Sequence, residues 1–362
     1  MLIAKDKHKL LVKLRKHLHA NAEPSMQEVK TKALLMEFLR EHTTLEIVDR
    51  GIWFYAVHRG KGSKPSIALR ADFDAVLCAD GCARHLCGHD GHSTILAGVA
   101  LGLEGVETER DVYLIFQPGE ETGQGGELCS QLLVEQHIAE VYGMHNLPGF
   151  AEKEVLLADR TFACASTGME IALVGAPTHA AYPEQGKNPA SLIAELITYL
   201  QQLIAEPHRG VVLGTVIGVE LGSKSYGVAA SRGALRLTLR AEHQDEYDAL
   251  VEGMKNKALQ GAAEQGLECA LSFVEPFPAT VNTAACVQKL KHTAEGLGLK
   301  TAYLQEPMRW SEDFGYYLQK AQGAFFGMGC GEQHAGLHTA AYEFNDAIID
   351  AAVELFLKLV EV

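Results

Sequence analysis

Positive charge is what this chain is short of: 32 Lys and Arg stand against 46 Asp and Glu, a formal net charge of −14. A surface of that sign repels nucleic acid phosphates and anionic lipid headgroups alike, so neither nucleic acid nor a membrane is expected as a partner, and a small molecule fits better. An uninterrupted apolar run is also missing at the start. Met1-Leu2-Ile3-Ala4-Lys5-Asp6-Lys7-His8-Lys9 interleaves charged and apolar residues and reads as neither a signal peptide nor a membrane span, which leads us to expect a cytoplasmic protein. The eight cysteines are scattered rather than densely spaced, unlike a secreted disulfide scaffold, so most are expected to be reduced and buried. Internal repeats and low-complexity stretches are absent, and Gly and Pro punctuate element ends without forming a linker.

With 362 residues, 47% of them apolar, the chain exceeds what one core usually organises and is rich enough for two. Leu10, Leu11, Leu14 and Leu18 recur at helical spacing, and residues 7–41 read as two helices broken at Asn21-Ala22-Glu23-Pro24-Ser25. Short β-branched or aromatic runs at 52–57, 66–70 and 112–116 alternate with a helical pattern after His92, which argues for an α/β layer with parallel pairing. From about Gly168 the order becomes strand 169–174, helix 190–204, strands 211–219 and 234–241, helix 245–265, strand 268–273: the βαββαβ order of a ferredoxin-like unit. Helix and strand alternation then resumes, through 287–297, 312–318 and 324–328, to a closing helix over 345–360. The expected fold is α/β: a discontinuous domain, 1–167 with 274–362, interrupted by a small domain at 168–273. The joins are expected to be short, where open and closed states commonly interconvert.

The chemistry concentrates in Arg84-His85-Leu86-Cys87-Gly88-His89-Asp90-Gly91-His92 and in Gly119-Glu120-Glu121-Thr122. Thiolate and imidazole suit a borderline-soft divalent metal, and a spare carboxylate beside a ligating one can take a proton from water; together they point to metal-dependent hydrolysis. Cys87 and His89 occupy alternate positions of a glycine-containing loop, where extended backbone points both at one metal. A separate cluster of Cys78, Cys82 and Cys87 is the alternative, although it lacks CxxC spacing. Asp72 and Asp74 share a strand end, so one can enter the site while the other orients a histidine. Glycine on either side of Glu120 and Glu121 permits a bend that brings both to one centre, one as ligand and one as base. His145 closes a strand where α/β sheets collect ligands. His338 precedes the last helix, with His334 as competitor for the same role. In the small domain, His179 and the Gly186-Lys187-Asn188-Pro189 stretch lie in a polar loop, where His179 can stabilise an oxyanion.

Read in order, these pieces resemble the M20 metallopeptidase superfamily, in its aminoacylase and amidohydrolase branch, which includes auxin-conjugate hydrolases and N-acetyldiaminopimelate deacetylases. The resemblance is carried over nearly the whole chain by Arg15-Lys16-His17-Leu18-His19, Leu69-Arg70-Ala71-Asp72-Phe73-Asp74-Ala75, His85 through His92, Phe116-Gln117-Pro118-Gly119-Glu120-Glu121, Gly143-Met144-His145-Asn146-Leu147-Pro148, Thr178-His179-Ala180-Ala181, Ser311-Glu312-Asp313-Phe314 and Phe344-Asn345-Asp346. It implies two divalent metal ions, zinc, manganese, cobalt or nickel, on Cys87, His89, Glu121, His145 and His338, with Glu120 as catalytic base supported by Asp74 and His179. It also implies that the inserted domain is a lid through which subunits form a homodimer, with the lid histidine of some relatives reaching the partner's site. Asn188 and Arg240 are the expected substrate contacts.

Three departures concern the substrate pocket: the 74–87 loop is shorter than relatives have, Val76-Leu77-Cys78 replaces a Leu-Pro start, and Tyr226 to Ser231 replaces an Asn-Val-Ile-Pro pattern. The expected reaction is hydrolysis of a small N-acyl amino acid to a carboxylate and a free amine. A dipeptidase or aminopeptidase of the same superfamily, and a binding protein that has lost turnover, are the alternatives.

Overall fold

The computed structural model describes residues 5–361; Met1–Ala4, which open the N-terminal segment read above, and Val362 lie outside it. Two compact units form: residues 5–162, 280–307 and 313–361 in one, and 163–279 with 308–312 in the other. No helix among the described residues is long and apolar enough to cross a membrane, and all eight cysteines are free thiols, five of them buried.

The larger unit is built on an eight-stranded mixed sheet in the order Glu46–Asp49, Phe54–His58, Val112–Gln117, Ile67–Asp72, Glu140–Leu147, Gln322–Gly329, Val155–Leu157, Thr301–Tyr303. Its four central strands run parallel, with Ile67 opposite both Val112 and Glu140, and Gly323 opposite Val141. Helices cover such a sheet on both faces, so its strands carry no polar alternation; Ile67–Asp72 and Val112–Gln117 are buried at every position. The helix His89–Leu103 is buried almost all round, whereas the closing helix Ile349–Glu361 buries one stripe, Ile349, Ala352, Val353, Phe356, Leu359 and Val360. Three motifs distant in sequence meet here. Arg15 donates to Asp346 at 2.9 and 3.2 Å and His19 Nδ1 lies 2.8 Å from Asp90, tying the first helix, Lys5–His19, to the end of the chain and to the site helix.

In the smaller unit the order βαββαβ is as read from the sequence. Val212–Leu221, Arg232–Ala241, Ala165–Val174 and Glu268–Phe277 make one antiparallel sheet in that spatial order. Burial alternates along Ala165–Val174 and Arg232–Ala241 because one sheet face packs on the helices Ala190–Ala205 and Gln244–Gln265, around Ile171, Leu196, Leu237 and Met254.

Four expectations need correction. The helix anticipated over 312–318 is a single turn, Gly315–Leu318, because Asp313 instead accepts from Arg70, Gln117 and the Gly126 amide. The closing helix starts at Ile349, after a 3-10 turn, Asp346–Ile348, capped by Asn345. His89 does not lie in extended backbone but opens a helix. His145 lies within its strand, which continues to Leu147.

Candidate active site

The carboxyl ends of the parallel strands deliver most of the site, as expected where an open α/β sheet meets solvent. Asp72 closes one strand and Asp74 follows it; Glu120 and Glu121 lie in a turn after Gln117, and His145 near the end of Glu140–Leu147. A hairpin, Val76–Leu77 with Ala83–Arg84, leads the chain to Cys87. Gly88 then takes φ +104°, and a Cβ there would lie 2.4 Å from Asn146 Oδ1 and 2.5 Å from the Tyr342 hydroxyl. Only glycine makes that reversal, which turns His89 inward as the first residue of its helix. His338 also has a left-handed backbone, φ +60°, and its amide donates to the Leu86 carbonyl at 2.8 Å, fixing it beside the same loop.

The donor atoms converge in overlapping groups of three, each within 4.8 Å: Cys87, His89 and His145; Cys87, Glu121 and His338; His89, Glu120 and Glu121. Hydrogen bonds select which nitrogen faces inward. His89 Nδ1 lies 2.9 Å from Asp74 Oδ1, and an ionised carboxylate only accepts, so the proton is on Nδ1 and the Nε2 lone pair points into the site. His145 Nδ1 donates to the Asn146 carbonyl at 2.8 Å, leaving Nε2 facing Cys87 Sγ at 3.4 Å. His89 Nε2 and Glu121 Oε1 are buried without a hydrogen-bond partner among the described residues. Buried polar atoms are rarely left so. Here both are aimed at a thiol, imidazoles and carboxylates, so the residues fit divalent metal ions.

Electrostatics agree. Burial, and after it the charge of Glu121, pushes the Cys87 thiol up to about 11. Contact with Cys87, then with Glu121 at 3.4 Å, pushes His338 up to about 10. A cation at the centre relieves both conflicts, because it favours thiolate and neutral imidazole together. A further group, Asp72, His89 and His92, is already satisfied in part: His92 Nδ1 lies 2.7 Å from Asp72 and Nε2 2.6 Å from Asn146 Oδ1.

Glu120 is buried, with Oε2 3.8 Å from His89 Nε2 and Oε1 accepting from the Asp313 amide at 3.4 Å. Behind it Arg70 donates to Asp72, Gln117 and Asp313 at 2.7, 2.8 and 2.6 Å, and Gln117 donates to Asp313 at 2.7 and 2.9 Å. Burial nevertheless raises Asp313 to about 6, with Arg70 pulling the other way.

Of the expected site residues, Asp74, Cys87, His89, Glu120, Glu121, His145 and His338 are brought together. His179, Asn188 and Arg240 belong to the smaller unit. His179 is exposed and its Nδ1 accepts from the Ala181 amide at 3.1 Å, so the neutral ring carries its proton on Nε2. Asn188 Oδ1 accepts from the Ala190 amide at the start of a helix, and Arg240 donates to the Arg309 carbonyl and the Ser311 hydroxyl. His334 turns to the Ala335 carbonyl and the Tyr342 ring. Cys78 and Cys82 face one another across the hairpin loop and join none of the donor groups found among the described residues. Sequence reading overlooked Asn146, Ser25 and Glu28; a polar residue directly after His145, and a Ser and a Glu following a helix break, were the signals available.

Comparison with known proteins places this geometry. The chain is 26% identical to an N-acetylcysteine deacetylase of Bacillus subtilis, over 97% of this chain and 96% of the relative. It is 27% identical to a hippurate hydrolase of Campylobacter jejuni, over 96% and 94%. The crystal structure of a dinuclear metal-binding peptidase from the M20 family, also of Bacillus subtilis, superimposes with a TM-score of 0.84 at 25% identity, covering 99% of this chain and 98% of the other. Peptidase family M20/M25/M40 is matched over residues 68–362, a stretch that holds Asp74 and every donor residue of the clusters above. The chain belongs to that family.

Proposed function

We propose that this protein hydrolyses the amide bond of a small N-acyl amino acid, releasing a carboxylate and a free amine. Cys87, His89, Glu121, His145 and His338 would hold two divalent ions; zinc, manganese, cobalt and nickel all suit this mixture of donors. When bound, the metal supplies a Lewis acid that polarises the scissile carbonyl and acidifies water. The observation that carries the reading is the pair of buried acceptors that make no hydrogen bond, His89 Nε2 and Glu121 Oε1, the latter 3.4 Å from His338 Nε2, with a second carboxylate, Glu120, beside them. Relatives acting on N-acetylcysteine and hippurate support the substrate class.

Glu120 takes the proton from the attacking water and returns it to the leaving nitrogen. Its Oε1 leans on the Asp313 amide, which keeps Oε2 toward His89. Asp74 holds the His89 tautomer. His179, whose Nε2–H is left outward by the Ala181 amide, donates to the oxyanion. Arg240 and the Asn188 amide group bind the substrate's polar end.

The protein acts in the cytoplasm as a homodimer joined through the smaller unit. What supports the dimer is Val212–Leu221, an edge strand carrying exposed Val216, Ile217, Val219 and Leu221.

The test is amine release from N-acetyl, N-benzoyl and longer N-acyl amino acids, and from dipeptides, by chelated and metal-restored protein. Restored, metal-dependent release from the acylated substrates is expected, with Glu120→Gln slower by roughly 100-fold or more. Full activity in a folded, metal-loaded Glu120→Gln protein, or release from dipeptides alone, would overturn the proposal.

A further inference from the structure

The loop between the first two helices, Lys5–His19 and Val29–His42, reads in the sequence as a simple break, and it precedes the stretch matched to the family, which begins at residue 68. In the fold it lies against the catalytic carboxylates. The Ala75 amide donates to the Glu23 carbonyl at 2.9 Å, Pro24 bridges Ala75, and the Ser25 hydroxyl donates to Asp74 Oδ2 at 2.7 Å. Glu28 is 4% exposed, and its Oε1 accepts two amides, Met26 at 2.9 Å and Gly119 at 2.8 Å.

The arrangement around Glu120 is paired. The amide of the residue before it, Gly119, is held by Glu28; the amide of the residue after it, Glu121, donates to Asp74 Oδ2 at 3.0 Å, the oxygen that Ser25 also holds. Both Gly119 and Gly123 have positive φ, +62° and +69°, so the turn between them has backbone freedom that something else must remove. Met26 contributes by shape: it adopts φ +64° itself, and its Sδ would stand 2.5 Å from any Cβ at Gly119. Both hydrogen bonds that Glu28 accepts come from backbone amides. No ion pair joins it to a basic side chain among the described residues, its Oε2 is buried without a hydrogen bond, and burial, followed by the charge of Asp74, pushes its carboxyl up to about 7. A carboxyl kept at such a cost to hold an amide has a use for that amide.

We propose that Glu28 is a positioning residue for amide hydrolysis: by holding the Gly119 amide it sets the pitch of the turn that presents Glu120 and Glu121, with Ser25 doing the same through Asp74. The inference rests on the function proposed above. It makes the reach of the side chain decisive rather than its charge. Glu28→Gln keeps an oxygen at the same distance, whereas Glu28→Asp keeps the charge and withdraws the oxygen by one methylene.

The experiment compares Glu28→Gln, Glu28→Asp and Glu28→Ala in the full chain by amide hydrogen exchange resolved at Gly119 and by steady-state kinetics. With Glu28→Gln, Gly119 protection and kcat are expected within about threefold of the parent, since one neutral hydrogen bond replaces a charged one. With Glu28→Asp, exchange at Gly119 rises roughly tenfold or more while the amides of Ile67–Asp72 keep their protection. Its kcat falls by roughly 10–100-fold with KM changed less than threefold, as misplacement of a catalytic group by about an ångström predicts. The reverse ranking, with Glu28→Asp like the parent and Glu28→Gln impaired, overturns the proposal, as does a uniform rise in exchange along the chain. If Glu28→Ala fails to fold, the Gln and Asp pair still decides. If the parent hydrolyses no amide, the functional reading fails while exchange at Gly119 still reports whether Glu28 holds the turn.

Discussion

Replacing Asp74 by Asn separates shape from proton placement at the centre of the site. Asp74 is fully buried and uses both oxygens: Oδ1 faces His89 Nδ1 at 2.9 Å, and Oδ2 accepts from Ser25 Oγ at 2.7 Å and the Glu121 amide at 3.0 Å. Burial opposes its charge, yet His89, and then Ser25, hold its pKa below the ordinary carboxylate value. An Asn of the same outline has one acceptor oxygen where two are needed. With its amide nitrogen toward His89, Nδ1 must accept, the ring proton moves to Nε2, and the lone pair aimed at the metal is lost. With the amide nitrogen toward Glu121, two N–H groups confront one another at about 3 Å, costing roughly 1–3 kcal/mol and loosening the turn. Losing the partner that orients a ligating histidine typically lowers metal affinity roughly 10–100-fold, or about 1.4–2.7 kcal/mol. The assay is calorimetric titration of chelated protein with zinc in competition with a chelator, with circular dichroism verifying the fold. Affinity within about twofold of the parent, in a folded Asp74→Asn protein, would refute the claim that Asp74 selects the His89 tautomer.

Three further outcomes are expected. Gly91→Ala places a Cβ 2.2 Å from the ring of Phe344, which is buried, so urea unfolding should show a loss of about 1–3 kcal/mol despite alanine's helix preference; an unchanged midpoint would mean the ring yields freely. Glu140, whose pKa is held down by Lys289 at 2.8 Å against the push of burial, contributes stability that is present above about pH 4.3 and is lost as pH falls through its lower folded value. Lys289→Met should therefore cost about 1 kcal/mol at pH 7, and its deficit should shrink on acidification below about pH 4; a pH-independent deficit would assign the loss to packing. Ile217→Lys, on the exposed edge strand, should shift the protein to monomer in sedimentation velocity if that edge is the dimer contact; an unaltered species distribution would remove this edge from the interface.

Much of the fold was legible because its signals are local. Alternating burial along Ala165–Val174 and Arg232–Ala241, and long helices such as Gln244–Gln265, leave their period in the sequence and yield the βαββαβ order. Val155–Leu157 and Thr301–Tyr303 leave no readable signal, since three residues hold no period and the strands exist by pairing with segments more than 140 positions away, Thr301–Tyr303 with Val155–Leu157 and the latter also with Gln322–Gly329. His89 reads in the sequence as a loop residue because no side chain caps its helix; Gly88 takes the capping position through its φ alone.

By itself the sequence determined which chemical groups are present and which lie close together by covalent necessity: Cys87 with His89, and Glu120 with Glu121 between flexible glycines. It also determined a formal net charge of −14. Only the tertiary structure decided how these groups work. The sheet inserts Val112–Gln117 between Phe54–His58 and Ile67–Asp72, which brings the Glu120–Glu121 turn to Asp74, and through a positive φ His338 reaches Glu121 from over 200 residues away. Which imidazole nitrogen of His89 and His145 faces the donor cluster is set by Asp74 and the Asn146 carbonyl, and the turn carrying Glu120 is held by the Asp313 amide and by Glu28, which accepts from the Gly119 amide. Such choices depend on single hydrogen bonds between distant segments, which no local periodicity records.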